Sequence, residues 1–404
     1  MMKFSDQPFL PVLFGNDINS YSLARAFHEA YGVRSVVVGK SGRGPNAYSR
    51  IVDIRLEKNL EEEKTLTRVV QELSREFRKK KLLLIGCGDA YLELLAKNKK
   101  RFPPNTIAPY LDWPQMQTLI NKESFARVCD RFGLPRPETF IYRKEMGEKF
   151  SLPFGYPVII KPAEQIAYWQ NPFPGQKKVF KAETKAETVR IAERIYAAGY
   201  RGHLLVQDFI PGDDTRMRVL TGYSDRRGKV KLAALGHVLL EEHTPHGLGN
   251  HAVIINEEND ELVRKVREFL DKIGYVGFFN IDLKYDERDG TYKFLELNAR
   301  QGRSNYYVTG AGENLARWLA EDRVFEKEQE FRKTKDTVLW LMVPLRVAFA
   351  YVGDENLRKL MRRLVREGKV VNPLFYRGDR GLKRSLVLLK NHLSHFVKFA
   401  RYYR

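Results

Sequence analysis

Two short apolar segments, 277–284 and 292–298, are joined by an acidic turn that contains glycine, and this pattern predicts a β-hairpin. Asp282 lies on the first segment, and Glu296 and Asn298 lie on the second. Because side chains alternate along a strand, Glu296 and Asn298 point to one face, where Asp282 can join them. Two carboxylates and an amide oxygen are ligands suited to magnesium, which also binds nucleotide phosphates. Apolar neighbours place these acids beside a core, so we favour a metal site over a solvent-facing polar strand.

Three basic residues fit a role in binding phosphate. Arg300 continues the face of Glu296 and Asn298, and its guanidinium can hold a phosphoryl oxygen through two hydrogen bonds. Lys161 ends an apolar strand segment, and Lys122 opens a predicted helix. Either lysine alone could be an ordinary surface residue. Together with the hairpin, their order along the chain is far more specific than any single member.

The chain has 404 residues, 43% of them hydrophobic, and is long enough for two or three domains. Strand and helix patterns alternate in its first part, which predicts a doubly wound parallel sheet and an α/β fold, with α+β character overall. We predict four parts: a Rossmann-like domain at 1–114, a central part at 115–214, a part with the hairpin at 215–330, and a basic helical extension at 331–404.

The loops of the predicted parallel sheet contain Asn16, Asp17 and Asp89. Open parallel sheets bind ligands in the loops that follow the carboxyl ends of their strands. These three residues are therefore candidates for contact with a substrate, although their pattern is less specific than that of the hairpin.

The formal charge of +20 is uneven, since residues 355–404 contain fourteen Lys/Arg and three acids. This charge favours an anionic partner, such as nucleic acid, a phospholipid surface or a nucleotide-linked substrate. A well-solvated surface is the simpler interpretation of charge density alone. The segment from Leu382 onward has the pattern of an amphipathic basic helix and resembles no nucleic-acid-binding module. It could rest on an anionic membrane or pack on the body of the protein, and we favour packing.

The two cysteines, Cys87 and Cys129, lack the spacing of a metal site and argue against a disulfide framework. No secretory signal and no membrane-spanning segment is visible, so we expect a cytoplasmic protein that contacts a membrane at most peripherally. Four histidines lie between residues 237 and 251, but their spacing matches no closed zinc site. Polarity of the loop is the simpler interpretation.

The sequence resembles the ATP-grasp superfamily at Asp282 and in the segments 121–123, 157–161, 206–214 and 296–300. The resemblance implies an ATP-grasp fold that uses ATP and one or two Mg²⁺ ions. Two lysines would hold the phosphates, the backbone of 207–210 would read the adenine, an acid would hold the ribose, and a lysine-containing loop would close over the phosphates. The ATP-binding residues that it implies are Lys122, Lys161, Lys178, Gln207, Asp208, Phe209, Ile210 and Asp214.

A narrower resemblance, to bacterial D-aspartate ligases, covers nearly the whole chain, including 9–31, 86–91, 206–220, 301–304 and 321–325. That family joins D-aspartate to the lysine side chain of a peptidoglycan precursor. The resemblance thus implies a C–N ligase of cell-wall synthesis, with ATP, an amino acid and a nucleotide- or lipid-linked precursor as partners, and without nucleic acid.

The reaction implied by this resemblance proceeds through an acyl phosphate. Lys161, Arg300 and magnesium would offset the charge that develops during phosphoryl transfer, and Arg218 would assist. Arg303 and Ser304, just beyond the metal strand, are candidates for binding the amino acid. A structural ion pair is an equally good interpretation of Arg218 and of Arg303.

Two other functions stay open at this point. One is an ATP-grasp ligase that joins a different amino acid to another amine, because the polar loop 241–250 could alter the substrate. The other is a non-catalytic protein that binds nucleotides or anions. The stereochemistry, the activated carboxylate and the oligomeric state do not follow from the sequence.

Overall fold

The computed structural model describes residues 6–245 and 247–403, apart from the side chain of Ile166. The first part is a five-stranded sheet with the order β3-β2-β1-β4-β5, and every pairing in it is parallel. Its strands are β1 (Phe9–Phe14), β2 (Ser35–Gly39), β3 (Val52–Leu56), β4 (Lys81–Gly86) and β5 (Thr106–Ile107). Its helices are α1 (Ile18–Tyr31), α2 (Glu63–Glu76) and α3 (Asp89–Asn98). The predicted parallel sheet is therefore confirmed.

The second part is a four-stranded antiparallel sheet with the order β6-β9-β7-β8. Its strands are β6 (Thr139–Tyr142), β7 (Val158–Pro162), β8 (Phe180–Ala182) and β9 (Leu204–Asp208). The helices around it are α4 (Trp113–Ile120), α5 (Lys122–Arg131), α6 (Gln165–Trp169) and α7 (Lys185–Ala197). The Asn121 side chain accepts hydrogen bonds from the amides of Glu123 and Ser124, and this cap fixes Lys122 at the start of α5.

The third part is the largest sheet, with the order β14-β13-β10-β11-β12-β16-β17, and β15 pairs with β11. Its strands are β10 (Met217–Ser224), β11 (Val230–Glu242), β12 (Asn250–Glu257), β13 (Gly277–Asp286), β14 (Thr291–Asn298), β15 (Arg332–Lys333), β16 (Leu339–Leu341) and β17 (Val370–Val371). The remaining helices are α8 (Asp260–Lys272), α9 (Tyr306–Gly310), α10 (Leu315–Arg323), α11 (Leu345–Tyr351), α12 (Glu355–Arg366) and α13 (Leu382–Tyr402).

The predicted hairpin is present as β13 and β14. Asp282 is paired with Glu296, and Asn280 is paired with Asn298, so the polar residues of the two strands lie side by side. The ladder shifts register immediately after Asp282, between it and Leu283. A shift of this kind changes the twist of a strand and is common beside active sites.

The C-terminal part differs from the largely helical extension expected from the sequence. β16 pairs with β12 inside the third sheet, and β17 extends the same edge. Leu339 and Leu341 are buried there, and α11, α12 and α13 pack around them through an apolar cluster that includes Met361 and Phe399. The strands explain the apolar run at 339–343, which has to pair within the sheet as well as pack.

Apolar side chains join the parts of the chain. One continuous cluster contains residues of the first sheet, of α4 and α5, and of the hairpin strands, so the first and third sheets share a core. A second cluster packs α1 against α9 and α10. Within the described part of the chain, no helix has both the length and the apolar character needed to cross a membrane.

A buried ion pair within the C-terminal segment contacts α1 and the loop between β2 and β3. Arg384 Nε lies 3.0 Å from Asp379 Oδ2, and both side chains are almost fully buried. The same carboxylate accepts hydrogen bonds from the hydroxyl groups of Tyr21 (2.8 Å) and Ser49 (2.7 Å) and from the amide of Arg50 (2.6 Å). A buried charge is tolerated when such partners satisfy it.

Replacing Asp379 with Asn should lower the free energy of unfolding by about 3 to 5 kcal/mol, because it leaves the Arg384 charge buried without a counter-ion. Urea unfolding followed by circular dichroism measures the change. The matched control is Glu268→Gln, which removes an ion pair between Arg264 and Glu268 whose side chains are both more than 60% exposed. An unfolding midpoint unchanged in Asp379→Asn would contradict the structural role of the pair.

Candidate active site

A cleft with a volume of about 320 Å³ lies between the second and third sheets. Strands β7 and β9 form one wall, and strands β10 to β14 form the other. Its lining residues include both charged and apolar side chains. The charged members are Lys122, Lys161, Lys178, Asp208, Glu241, Asp282, Lys284 and Glu296. The apolar members include Ile159, Val179, Phe209, Ile210, Met217, Leu248 and Leu295.

The two carboxylates of the hairpin lie together in this cleft. Asn280 Nδ2 donates to Asp282 Oδ1 over 3.1 Å, and Asn298 Nδ2 donates to Asp282 Oδ2 over 3.3 Å. Burial and the nearby Glu296 carboxylate raise the pKa of Asp282 well above its ordinary value. Burial acts on Glu296 in the same direction, but Lys178, Lys122 and Lys161 outweigh it and lower its pKa to about 2.

These oxygen atoms fit a hard cation. Two adjacent carboxylates in a shielded site repel each other, and a divalent ion would relieve this repulsion. Within the described residues, no group of three or more His, Cys, Asp or Glu side chains is arranged to hold a metal ion, so the set depends on an amide as its third ligand. Asn298 turns its NH₂ group to Asp282, and its oxygen lies 3.4 Å from Arg300 Nη2. Its amide would have to rotate to present oxygen to a metal.

Three lysines face the carboxylates across the cleft. Within the described residues, neither Lys122, Lys161 nor Lys178 has a carboxylate within ion-pair distance. Burial, reinforced by the neighbouring Lys122, lowers the pKa of Lys161 to about 8. Burial also lowers the pKa of Lys122. Unpaired cations in a shielded cleft attract an anion, and a polyphosphate would supply the missing charge.

The segment from Gln207 to Ile210 lines the cleft beside its apolar side chains. Gln207 donates its side-chain amide to Thr139 Oγ1 over 3.0 Å, and Asp208 forms a 2.6 Å ion pair with Arg288. Phe209 and Ile210 follow the end of β9, so their backbone groups lie outside its ladder. An apolar slot beside free backbone groups suits a flat heterocyclic ring.

Asp214 lies behind the cleft wall. Its Oδ2 accepts a hydrogen bond from the amide of Glu241 over 2.9 Å and lies 3.0 Å from His243 Nε2. The hydrogen bond with Asp214 raises the pKa of His243. The His243 ring lies in turn 4.4 Å from the ring of Tyr403, which connects the end of α13 to this wall.

Arg300 links the hairpin to the first sheet. Its Nε donates to Asp89 Oδ1 over 2.7 Å, and its Nη1 lies 3.3 Å from the carbonyl of Gln301. Asp89, expected to contact substrate, is therefore a partner of Arg300 in the free protein. Burial raises the pKa of Asp17, and Arg303 and Arg300 act in the opposite direction, which places Asp17 near both guanidinium groups.

Asp17 and Asn16 also have structural partners. Asp17 caps α1 by accepting hydrogen bonds from the amides of Asn19 and Ser20. Asn16 donates to the carbonyl groups of Ser41 and Arg43 and holds the loop that follows β2. These contacts give both residues a role in the fold, apart from any contact with a substrate.

Ser304 contacts a residue that lines the cleft. Its Oγ lies 3.3 Å from His251 Nδ1, and His251 lines the cleft. Burial lowers the pKa of His251 to about 4, so the ring is neutral at physiological pH. Arg303, the adjacent residue, is exposed, and within the described residues it forms no ion pair.

The structure does not bring Arg218 into the cleft. Met217 lines the cleft, and the next side chain points to the opposite face of β10. There Arg218 forms an ion pair with Glu257 at 3.0 Å, and His237 Nδ1 lies 3.0 Å from the same carboxylate. The alternative interpretation as a structural ion pair describes this arrangement, and the expected assistance at the phosphate has no geometric support.

Several cleft residues escaped the sequence analysis. Glu241 and His251 lie at the ends of β11 and β12, in and beside a segment interpreted only as a polar loop. Lys284 follows Asp282 by two residues and shares its face of β13. Strand alternation could therefore have identified Lys284 from the sequence. Burial, together with the nearby Asp214, raises the pKa of Glu241 to about 7. His246, one of the four clustered histidines, lies outside the described residues.

The whole chain is similar to a protein of known function. The chain is 39% identical to the D-aspartate ligase of Enterococcus faecium (strain Aus0004) over 415 aligned residues, which cover 100% of this chain and 99% of the relative. The chain belongs to the D-aspartate ligase family. It is therefore an ATP-dependent carboxylate–amine ligase, as the resemblance implied. No family model matches the chain.

Solved structures show the same fold as this D-aspartate ligase family member. An L-amino acid ligase from Bacillus licheniformis superimposes with a TM-score of 0.55 at 18% identity, covering 80% of this chain and 75% of the other. The N5-carboxyaminoimidazole synthetase of Staphylococcus aureus, complexed with ADP, gives a TM-score of 0.61 at 14% identity, covering 84% of each chain. The ATP-grasp fold expected from the sequence is confirmed.

The low pKa of Lys161 predicts how ATP affinity depends on pH. This lysine is charged below about pH 8 and neutral above it, so metal-free ATP should bind more weakly as the pH rises from about 7 to 9. Lys161→Met should weaken binding at pH 7 by about tenfold or more and flatten the pH profile. Calorimetric titration with ATP measures both effects.

The control for this titration is Lys149→Met, since Lys149 is exposed and lies outside the cleft. Its affinity and pH profile should match those of the unmodified protein. A Lys161→Met variant that binds ATP normally and keeps the full pH dependence would remove Lys161 from the phosphate site.

Proposed function

We propose that this ligase activates a carboxylate of D-aspartate with ATP and joins it to the lysine side-chain amine of a peptidoglycan precursor. The observation that carries the proposal is 39% identity to a D-aspartate ligase along the full length of both chains. The cleft supports it, because its lining combines the cations, carboxylates and apolar side chains that binding of a magnesium–nucleotide requires.

In this proposal the nucleotide lies along the cleft. The adenine occupies the apolar slot next to 207–210. Asp214 holds the ribose once His243 and the amide of Glu241 release one of the carboxylate oxygens of Asp214. Lys122, Lys161 and Lys178 hold the phosphates. Lys178 lies on the loop between α6 and β8, which fits a lid over the phosphates.

Asp282, Glu296 and, after rotation of its amide, Asn298 would hold one or two magnesium ions. These residues would hold the metal next to the phosphates, where its charge would offset theirs. Arg300 lies beside Asn298 and is held by Asp89, so its guanidinium is already oriented at the phosphate end of the cleft. This arrangement pre-positions charge for the transferred phosphoryl group.

Two chemical steps follow. A carboxylate oxygen of the amino acid attacks the γ-phosphorus of ATP, the bond to the bridging oxygen breaks, and ADP leaves. The amine of the acceptor then attacks the carbonyl carbon of the acyl phosphate, and phosphate and a proton are released. Lys161 and Arg300 offset the negative charge of the transferred group in the first step.

Arg303 and Ser304 are proposed to bind the amino acid. Arg303 is exposed, has no ion pair within the described residues, and lies near Asp17 on the other side of the opening. A cation next to an anion suits a zwitterion, because the guanidinium can take a carboxylate and Asp17 can take the ammonium group. Ser304 is held by His251, which joins this region to the phosphate end.

The reaction itself tests the proposal. Purified protein with ATP, Mg²⁺, D-aspartate and a lysine-containing precursor should release phosphate, and mass spectrometry should show a product extended by one aspartyl residue. Glu296→Gln should lower kcat by about 100-fold or more, because a charged metal ligand is lost. Glu261→Gln, at an exposed position, is the control.

Turnover with another amino acid but not with D-aspartate would replace the proposed substrate while keeping the ligase chemistry. Full activity in Glu296→Gln would contradict the assignment of the metal site.

Arg303→Met tests the amino-acid site separately. The KM for D-aspartate should rise about tenfold to 100-fold, because one charge-assisted contact is removed, whereas the affinity for ATP should stay unchanged. Arg317→Met, at an exposed position on α10, is the control and should alter neither quantity. An unchanged KM for D-aspartate in Arg303→Met would exclude this residue from the substrate site.

A further inference from the structure

Helix α13 has two apolar faces, and only one of them is covered. Leu388, His395 and Phe399 are buried against the body of the protein, together with Arg384. On the outer side, large apolar side chains recur every three or four residues and remain exposed. The exposed fractions are 80% for Leu382, 60% for Leu386, 49% for Leu389, 50% for Leu393 and 70% for Val397.

This outer face, Leu382, Leu386, Leu389, Leu393 and Val397, is exceptional for the molecule. Most large apolar side chains that are strongly exposed in the described residues lie on this one helix. Phe396 and Tyr402 extend the patch along the same helix, and Phe375 adds to it through a contact of its ring with His392. A continuous exposed apolar patch indicates a binding surface rather than ordinary surface variation.

The charge around this face is of one sign. Residues 380–404 contain seven Lys/Arg and no Asp or Glu. Lys383, Lys390 and Arg401 are exposed at intervals of seven and eleven residues, so they lie along one edge of the apolar stripe. Within the described residues, none of these three forms an ion pair. Free cations bordering an apolar helical face are the pattern of a helix that lies in the surface of an anionic membrane.

A second copy of this chain fits the face less well. Pairing of two such helices would bring like charges together, and paired helices normally use acidic and basic residues at the flanks of the seam. No acidic residue follows Asp379 to complete such pairs. A membrane with anionic headgroups complements both the apolar stripe and its basic edge.

We propose that the outer face of α13 docks the protein on an anionic lipid surface, with the helix lying parallel to that surface. The leucines enter the boundary between headgroups and acyl chains, and the basic edge contacts the headgroups. The inference rests on the helix and its charge, and it is independent of the identity of the amino acid in the proposed reaction. It also gives a physical reason for apolar side chains that the fold leaves uncovered.

The helix is held rigidly enough to act as a docking element. Arg384 anchors its first turn through Asp379, and Phe399 packs near its end in the cluster of α11 and α12. Tyr403, just past the last turn, lies against His243 beside the nucleotide cleft. Deleting the helix would expose the core and disturb the cleft, so point substitutions on the outer face are the appropriate test.

The test uses the full chain and co-sedimentation with vesicles of phosphatidylglycerol and phosphatidylcholine, compared with phosphatidylcholine alone. The protein should bind the anionic vesicles at least about tenfold more strongly, and added salt should weaken that binding. The triple variant Leu386→Ser, Leu393→Ser and Val397→Ser should lose about tenfold or more of the affinity. Lys383→Gln combined with Lys390→Gln should remove most of the preference for anionic lipid.

Controls separate docking from general surface effects. Leu56→Ser removes a leucine that is 60% exposed on β3, and Lys64→Gln combined with Lys79→Gln removes two exposed charges elsewhere. These variants should bind vesicles as the unmodified protein does. All variants should keep the unmodified melting temperature and ATP affinity, since they alter exposed positions outside the cleft.

Three results would overturn the proposal. The first is failure of the unmodified protein to sediment with anionic vesicles. The second is equal binding by the triple variant, and the third is equal binding to neutral and anionic vesicles. Light scattering tests the other possible partner, a second copy of this chain. A dimer that dissociates in the triple variant would assign the outer face to a second copy and not to lipid. Loss of ligase activity in solution would leave the docking result unaffected, so the two proposals fail separately.

Discussion

The opposition of three lysines and two carboxylates in one shielded cleft is the interaction on which the rest of the site depends. Lys122, Lys161 and Lys178 together lower the pKa of Glu296 to about 2, although burial acts in the opposite direction. Burial and the neighbouring Lys122 also lower the pKa of Lys161, so this lysine holds its proton less tightly. Within the described residues these three lysines form no ion pair, and the two carboxylates repel each other. A magnesium–polyphosphate complex would satisfy both sets at once.

The elements that carry these charges come from separate parts of the chain. Lys122 is fixed by a cap on α5, Lys161 by the end of β7, and Glu296 by β14. The Arg300–Asp89 pair then connects the third sheet to a loop of the first. Because no single sheet contains the site, its geometry depends on the shared core between the first and third sheets. The second sheet has an apolar cluster of its own.

How much of this the sequence could predict depends on whether an interaction is local. Glu296 and Asn298 share a face because of strand alternation, and their hairpin partner is close in sequence. The sequence could therefore predict these candidate metal ligands. Arg218 was assigned to the phosphate because it is a basic residue near the family motif. Its position follows from the pairing of Val219 with Asp282, which places Arg218 on the other face of the sheet. That register joins residues 63 positions apart and has no signature in one sequence.

Glu241 and His251 show the same limit, because they line the cleft and the sequence analysis did not identify them. Glu241 looked like the start of a polar loop and His251 like the residue that follows it, yet β11 runs as far as Glu242 and β12 begins at Asn250. The register of these strands shifts near Leu240 and Glu241, and this irregularity turns polar side chains at the strand ends into the cleft. Asp214 then binds the amide of Glu241, so the proposed ribose ligand and the strand end are fixed together.

The C-terminal helix combines structural and surface roles in a single element. The sequence left packing and membrane contact as alternatives, but the buried residues Arg384, Leu388 and Phe399 occupy a different face from Leu386 and Leu393. Packing of one face therefore does not use the other. Since Arg384 needs Asp379 as its buried counter-ion, the helix cannot rotate to hide its leucines without leaving that charge unpaired. The ion pair that fixes the fold thus also keeps the apolar stripe turned outward.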